Sequence, residues 1–374
     1  MTALRLGVNA LFYLPGEVGG SETYLRETLR ALARRPDRPD LVLFTNAEND
    51  RVLRAEFPAA EAVSSGIAAT NRFARILAEQ FQLPRLVRRA RPDVLWSPGY
   101  TAPARAACPQ VVSVLDMQYK RFPQDVSWMA ARAMDVLYPL AARRAAAVVA
   151  ISEFAKAEAV RFLGVPPEKA TTTLLAADPA FGAAGGPPPA ELAGAPYLLC
   201  VAHTYPHKNV GLLVRAFSRI AEEIPHRLVL VGRPRFGEPE VAAALRAAPA
   251  GRVVRFPGLP WAELIALYRH ADWFVFPSLY EGFGLPVLEA MRAGAPVLTT
   301  REASIPEIGG ECVRYADGRD AAAFAAALRA ATTLPAAERA RQIEAARRRA
   351  EGFTWDASAE KLWYVLQRVA RERK

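Results

Sequence analysis

Two carboxylates eight positions apart, Glu281 and Glu289, flank a glycine-rich turn in the stretch PSLYEGFGLPVLEAM, Pro277–Met291. A carboxylate can accept two hydroxyls at once, which is what a sugar diol requires. Gly282 and Gly284 let the backbone approach a ligand closely. Pro286 suits the first turn of a helix, where its missing N–H costs nothing. The start of that helix then offers free N–H groups and a partial positive charge to an anion. The stretch directly follows the apolar run Trp273–Phe276. A bare EGFG also fits a solvated Gly-Pro loop. A whole strand–turn–helix segment with a carboxylate on each side points instead to an anion site beside sugar hydroxyls.

Lys208 follows the apolar run Tyr197–Val201, in a turn containing Pro206. A lone loop lysine is ordinarily solvated, but an ammonium there can also neutralise a leaving anion. His203 stands five residues earlier, and its contact with a phosphate would depend on protonation or on a neutral N–H donor. Arg233, after Leu228–Val231, is a candidate second cation or base contact. Gly19 and Gly20 end the first strand–loop unit; a two-glycine loop alone is a weak signal. Glu22 beside them reads as a cap-region charge or as an acceptor contact. Asp116 by itself reads as a cap on the turn after Val111–Leu115.

These residues need a scaffold that brings strand ends together. Leu4–Val8, Leu41–Phe44, Val94–Trp96, Val111–Leu115 and Val148–Ile151 look like buried strands. Glu22–Arg35 repeats Leu25, Leu29 and Leu32 at helical spacing, with Ser21 as its expected N-cap. Gly182–Pro196 reads GAAGGPPPAELAGAP and holds no regular element. A second series follows: Tyr197–Val201, Arg227–Val231, Val253–Phe256, Trp273–Phe276 and Pro296–Thr299. Helices are expected between them at Val210–Ala221 and Trp261–His270, and a last one at Trp355–Arg371. The alternation predicts an α/β chain with two doubly wound, Rossmann-like domains facing a central cleft. The expected boundaries are 1–186, a linker 187–196, 197–352, and a C-terminal helix 353–374 that packs back on the first domain.

The chain has 374 residues, 52% hydrophobic and 23% charged, enough apolar content for two cores and too much for wholesale disorder. Its apolar runs are far shorter than the ~20 residues that cross a bilayer. Arg5 interrupts the opening apolar stretch, which reads as a strand and not a secretory signal, so the expected compartment is the cytoplasm. Cys108, Cys200 and Cys312 lie far apart, and no Cys/His or D-x-D spacing suggests a metal. The net charge is +10, and only six of the 48 basic residues are lysine. Such an arginine-rich surface suits phosphate-bearing partners, or simply reflects base composition.

EGFGLPVLEAM resembles the E-x7-E signature of the retaining family-four glycosyltransferases, which have the GT-B fold. Further similar pieces are GGSETYLRE (Gly19–Glu27), SPGYTAP (Ser97–Pro103), VVSVLDMQYKRFP (Val111–Pro123), AISEFAK (Ala150–Lys156), HTYPHKN (His203–Asn209), GAPVLTT (Gly294–Thr300) and IPEIGG (Ile305–Gly310). Their order and spacing match over nearly the whole chain, and the wording is most similar to a bacterial mannosyltransferase-like branch. The resemblance implies transfer of a hexose, with mannose expected first, from a nucleotide-diphosphate sugar to a hydroxyl of a glycan or lipid-linked acceptor. The anomeric configuration would be retained. GDP-mannose is the first expected donor, UDP-sugars the next, with no other cofactor and no metal. It also implies that Glu289 binds the ribose hydroxyls and Glu281 lies against the donor sugar. Lys208 would neutralise the diphosphate, and the backbone N–H groups of Phe283, Gly284 and Leu285 would meet diphosphate or sugar. Gly19 and Gly20 would lie under the donor phosphates and the acceptor, and Asp116 would hold the acceptor.

Two positions depart from that pattern. Leu115 stands where relatives carry a histidine at the reacting centre, and leucine can neither donate nor accept a hydrogen bond. His203 stands where many relatives carry arginine. The alternatives are therefore a weak or silent nucleotide-sugar-binding protein, or a sugar-nucleotide epimerase of the same fold. Nucleic-acid binding is suggested by charge alone. Arg72–Arg91 interleaves six arginines with apolar residues and reads either as an amphipathic stretch on anionic membrane or, interrupted by Pro84, as ordinary core packing.

Overall fold

The computed structural model of the protein describes residues 4–17, 19–183, 186–192 and 194–372. Ala184, Gly185 and Ala193 of the stretch Gly182–Pro196, and Met1–Ala3 ahead of the first strand, lie outside them.

Thirteen short parallel strands build two sheets among the described residues. The first sheet contains β1 (Arg5–Asn9), β2 (Asp40–Thr45), β3 (Glu61–Ser64), β4 (Val94–Ser97), β5 (Gln110–Val114), β6 (Ala147–Ala150) and β7 (Ala170–Thr172), in spatial order 3-2-1-4-5-6-7. The second contains β8 (Tyr197–Val201), β9 (Arg227–Val231), β10 (Val253–Phe256), β11 (Trp273–Phe276), β12 (Val297–Thr299) and β13 (Arg314–Tyr315), in order 10-9-8-11-12-13. Central strands such as β4 and β11 are buried along their whole length. Burial on both faces is why they read as unbroken apolar runs and not as alternating ones. Each sheet reverses its strand order once, at β1/β4 and at β8/β11. In open α/β sheets such a reversal leaves a crevice at the strands' carboxyl ends.

The chain divides into two compact units that do not follow the sequence in two simple blocks. The first is Met1–Met117, Trp128–Leu175 and Thr354–Lys374; the second is Gln118–Ser127 and Ala176–Phe353. In the first unit, the helix Trp355–Arg371 packs on the helix Gly20–Arg34. It buries Leu362, Val365, Leu366 and Val369, and Trp363 Nε1 donates to Asp37 at 2.6 Å. In the second, Leu213, Phe217, Leu228, Val275 and Leu328 share one core.

Two local readings need correction. The N-cap of the first helix is Gly19, not Ser21, which lies inside the helix. Gly19 has φ +52°, a conformation that L side chains rarely adopt, so backbone geometry and not a side-chain cap sets the start. Pro84 does not break Arg72–Arg91. The helix Arg72–Leu77 runs through a wide five-residue π turn, Ala78–Gln82, into the helix Leu83–Ala90, where Pro84 occupies the tolerated first turn.

Candidate active site

The loops leaving β8 and β11, the two strands at the reversal of the second sheet, carry most of the site. β11 pairs with β8 in parallel, Phe274 against Leu199, so the segments after Val201 and Phe276 leave side by side. The first is HTYPHKN, the second PSLYEGFG.

Lys208 Nζ donates to Glu281 Oε1 at 2.6 Å. Ser278 Oγ donates to the same oxygen at 2.7 Å, and Ser304 Oγ holds the Glu281 carbonyl at 2.9 Å. The carboxylate is buried and the ammonium nearly so. Lys208 also lies 5.4 Å from the centre of the Phe276 ring, which favours its charge. A charge pair this dry stays favourable only with good geometry and extra hydrogen bonds, and both are present.

The turn bearing Lys208 is stitched to its neighbour. Leu279 N–H donates to the His207 carbonyl at 2.8 Å. Asn209 sits in a left-handed conformation, φ +58°, and its amide donates to the carbonyls of Gly318 at 2.6 Å and Pro277 at 3.3 Å. Beneath it, His207 Nδ1 meets Asp125 Oδ2 at 2.5 Å, and Gln118 Nε2 donates to that oxygen at 2.6 Å. His207 and Asp125 are both buried. An Nδ1–H pointed at a carboxylate fixes the ring and hence the backbone of the next residue, Lys208.

Glu289 lies on the nine-residue helix Leu285–Ala293, whose N-cap Gly284 has φ +101°. Pro286 brings no N–H, so Leu285 is the first-turn residue whose N–H the helix's own bonds do not use. Val287 and Leu288 N–H both turn back to the Gly284 carbonyl. Phe283 is buried, edge-on to Phe353 at 6.1 Å between ring centres. Tyr268 OH donates to Glu289 Oε2 at 3.0 Å. Burial pushes the Glu289 carboxyl up to about 7; the Tyr268 bond opposes this and the charge of Asp178 adds to it. Glu289 therefore changes charge near neutrality.

His203 and Arg233 follow β8 and β9. His203 Nδ1 accepts the Arg233 backbone N–H at 3.0 Å, which puts the ring proton of the neutral form on Nε2. Both side chains are exposed. Lys208, Glu281, Glu289, His203, Arg233, Phe283, Gly284 and Leu285 all belong to the second unit. Gly19, Gly20 and Asp116 belong to the first. There Tyr100 OH donates to Asp116 Oδ2 at 2.8 Å. Leu115 beside it is buried. Glu22 serves its own loop, taking Tyr13 OH at 3.0 Å and Gly16 N–H at 2.8 Å. Among the described residues, no group of three His, Cys, Asp or Glu side chains is placed to hold a metal ion.

Sequence reasoning missed Asp125, Ser278 and Tyr268. Asp125 lies 82 positions from His207 and Tyr268 lies 21 from Glu289, so only the fold pairs them. The one local signal was Ser278, three residues before Glu281. Chemically, the second unit offers a helix end and an ammonium for an anion, with one buried and one part-buried carboxylate for hydroxyl groups beside it.

Two family models match successive parts of the chain: Glycosyltransferase Family 4 over residues 18–180 and Glycosyl transferases group 1 over 195–333. Residues of the chain are 31% identical to the O-antigen chain mannosyltransferase B of Escherichia coli, over 48% of this chain and 49% of that protein. The chain thus spans about half the length of that curated relative. Among solved structures, sucrose-phosphate synthase from Thermosynechococcus elongatus superposes with a TM-score of 0.78 at 17% identity, covering 98% and 99% of the two chains. Anabaena HepE in complex with UDP-glucose gives 0.74 at 17%, covering 97% and 99%.

Proposed function

We infer, for a chain that belongs to the family-four and group 1 glycosyltransferases of GT-B fold, that it moves a hexose from a nucleotide-diphosphate sugar to a hydroxyl of a glycan or lipid-linked acceptor in the cytoplasm. The observation that carries this reading is the Lys208–Glu281 pair beside the helix that bears Glu289, all on loops from the strand reversal of one sheet. A diphosphate would draw Lys208 away from Glu281 and meet the backbone N–H groups of Phe283, Gly284 and Leu285 at the helix start. Glu281 would then turn to the hydroxyls of the donor sugar, and Glu289 as a carboxylate would accept both ribose hydroxyls. Mannose from GDP-mannose is the first candidate, in keeping with the O-antigen mannosyltransferase relative.

The step breaks the bond from the anomeric carbon to the phosphate oxygen and forms one from that carbon to the acceptor oxygen on the same face. The acceptor proton passes to the departing phosphate oxygen, so configuration is retained and no protein nucleophile is used. Lys208 and the helix end supply the positive charge for the leaving group, so turnover is expected to be unchanged by EDTA.

A thermal-shift comparison of GDP-, UDP-, ADP- and TDP-sugars tests the donor class. One base should raise the melting temperature well above the others, because only a ligand bound by the folded state stabilises it. No shift with any of them would end this reading.

Leu115 supports a second reading, a slow or silent enzyme. Leu115→His should change turnover several-fold while leaving nucleoside-diphosphate affinity alone, because residue 115 lies in the first unit and the nucleotide groups in the second. Steady-state kinetics beside calorimetry separates the two quantities. Identical turnover in both proteins would remove Leu115 from consideration.

A further inference from the structure

Nine large apolar side chains stand exposed among the described residues, and six of them belong to two helical stretches of the first unit. Phe73, Leu77 and Phe81 follow one another every four residues along Arg72–Ala90. Trp128, Met129 and Val136 lie on the helix Trp128–Arg144. Phe73, Phe81, Trp128 and Met129 are 71%, 64%, 72% and 75% exposed. Scattered single apolar residues need no explanation, but a concentration of this kind does.

The stretch Arg72–Ala90 cannot roll over to hide its phenylalanines. Its inner face is tied down by Glu79, which accepts from Asn9 Nδ2 at 2.7 Å and Thr101 Oγ1 at 2.9 Å. Gln80 donates to the Ala102 carbonyl at 3.1 Å, and Leu83 and Val87 are fully buried. The helix Trp128–Arg144 meets the same loop: Tyr138 stacks on Tyr100 at 4.9 Å, and Ala141 and Ala145 pack with Ala102. The two stretches therefore flank one loop.

Their charge is lopsided. Arg72, Arg85, Arg88, Arg89 and Arg91 are exposed, and the one carboxylate of that stretch, Glu79, faces inward. On the other helix Arg132 lies 5.7 Å over the Trp128 ring, Arg143 and Arg144 are exposed, and Asp135 is the single acid. Two copies of such a face would set arginine against arginine, which opposes self-association. Bulky apolar groups beside cations fit phosphate headgroups over acyl chains.

We propose that this face docks on an anionic phospholipid surface, with Phe73, Leu77, Phe81, Trp128 and Met129 entering the acyl boundary and the flanking arginines on the phosphates. It would hold the first unit at a bilayer.

Sedimentation with phosphatidylglycerol-containing vesicles and with pure phosphatidylcholine vesicles tests this on the full chain. The wild type should bind the anionic vesicles about tenfold more strongly than the neutral ones, and salt should weaken the binding. The variant Phe73→Ser/Phe81→Ser and the variant Arg85→Glu/Arg88→Glu/Arg89→Glu should each lose about tenfold or more in affinity for the anionic vesicles. The melting temperature of each variant checks that it is folded; an unfolded one is replaced by Trp128→Ser/Met129→Ser. Absence of wild-type binding, or equal binding by folded variants, overturns the proposal. So does a wild-type dimer in analytical ultracentrifugation that Phe73→Ser/Phe81→Ser dissolves. Vesicle binding needs no donor, so its failure leaves the donor reading standing, and a failed donor screen leaves this one standing.

Discussion

Lys208→Ala is expected to lower kcat by ~10²–10³-fold, because the cation proposed to neutralise the leaving diphosphate would be gone. Part of any loss could come from instability. Glu281 would be left buried with Ser278 but without its cation, and an unpaired buried charge costs about 3 kcal/mol or more. The double variant Lys208→Met/Glu281→Gln separates the effects. It removes both charges and keeps similar volumes, so its melting temperature should recover most of what Lys208→Ala loses. Its kcat should not recover. Had the pair been merely structural, stability and turnover would return together. Glu281→Gln alone leaves the ammonium in place and should weaken sugar recognition more than nucleoside-diphosphate binding, a split that calorimetry with the sugar nucleotide and the bare diphosphate would show.

The second large effect concerns Glu289. Its carboxyl sits at about 7 in the folded protein against about 4.3 in an unfolded chain. Between those values the native state keeps a proton that the unfolded state has released. Stability therefore falls as pH rises through that window, by at most roughly 4 kcal/mol for the whole shift. Glu289→Gln removes this loss, so at alkaline pH the free variant should melt above the wild type. Ligand binding should behave in the opposite way. In its proposed role the carboxylate would accept two ribose hydroxyls and the protonated form would accept them less well, so wild-type donor affinity should rise about tenfold from roughly pH 6 to pH 8. The Gln variant should bind about 10–100-fold more weakly than wild type at the alkaline end, without that slope. Equal affinities, or a slope shared by both proteins, would remove Glu289 from the donor site.

Much of this was legible from residue order because the strongest signals are local. β8, β9, β10 and β11 lie at Tyr197–Val201, Arg227–Val231, Val253–Phe256 and Trp273–Phe276, the limits their apolar runs suggested. The helices Trp261–His270 and Trp355–Arg371 also agree end to end. β3, β7 and β13 were illegible for a physical reason. Each lies at a sheet edge, has only two to four residues, and reads EAVS, ATT or RY. An edge strand needs little apolar surface on its outer side and leaves little pattern. In the site, Glu281, Glu289 and Lys208 were visible because turn chemistry and spacing travel together. Tyr268 and the Asp125–His207 support were not, since the segments that meet there are chosen by topology.

The first unit has a consequence for biosynthesis. The helix Gly20–Arg34 is translated long before the helix that packs on it, Trp355–Arg371. Until that segment leaves the ribosome, the helix Gly20–Arg34 lacks part of its cover. The first unit therefore cannot mature on the nascent chain before the second has been synthesised, and a waiting interval follows in which a holding chaperone has an apolar surface to grip.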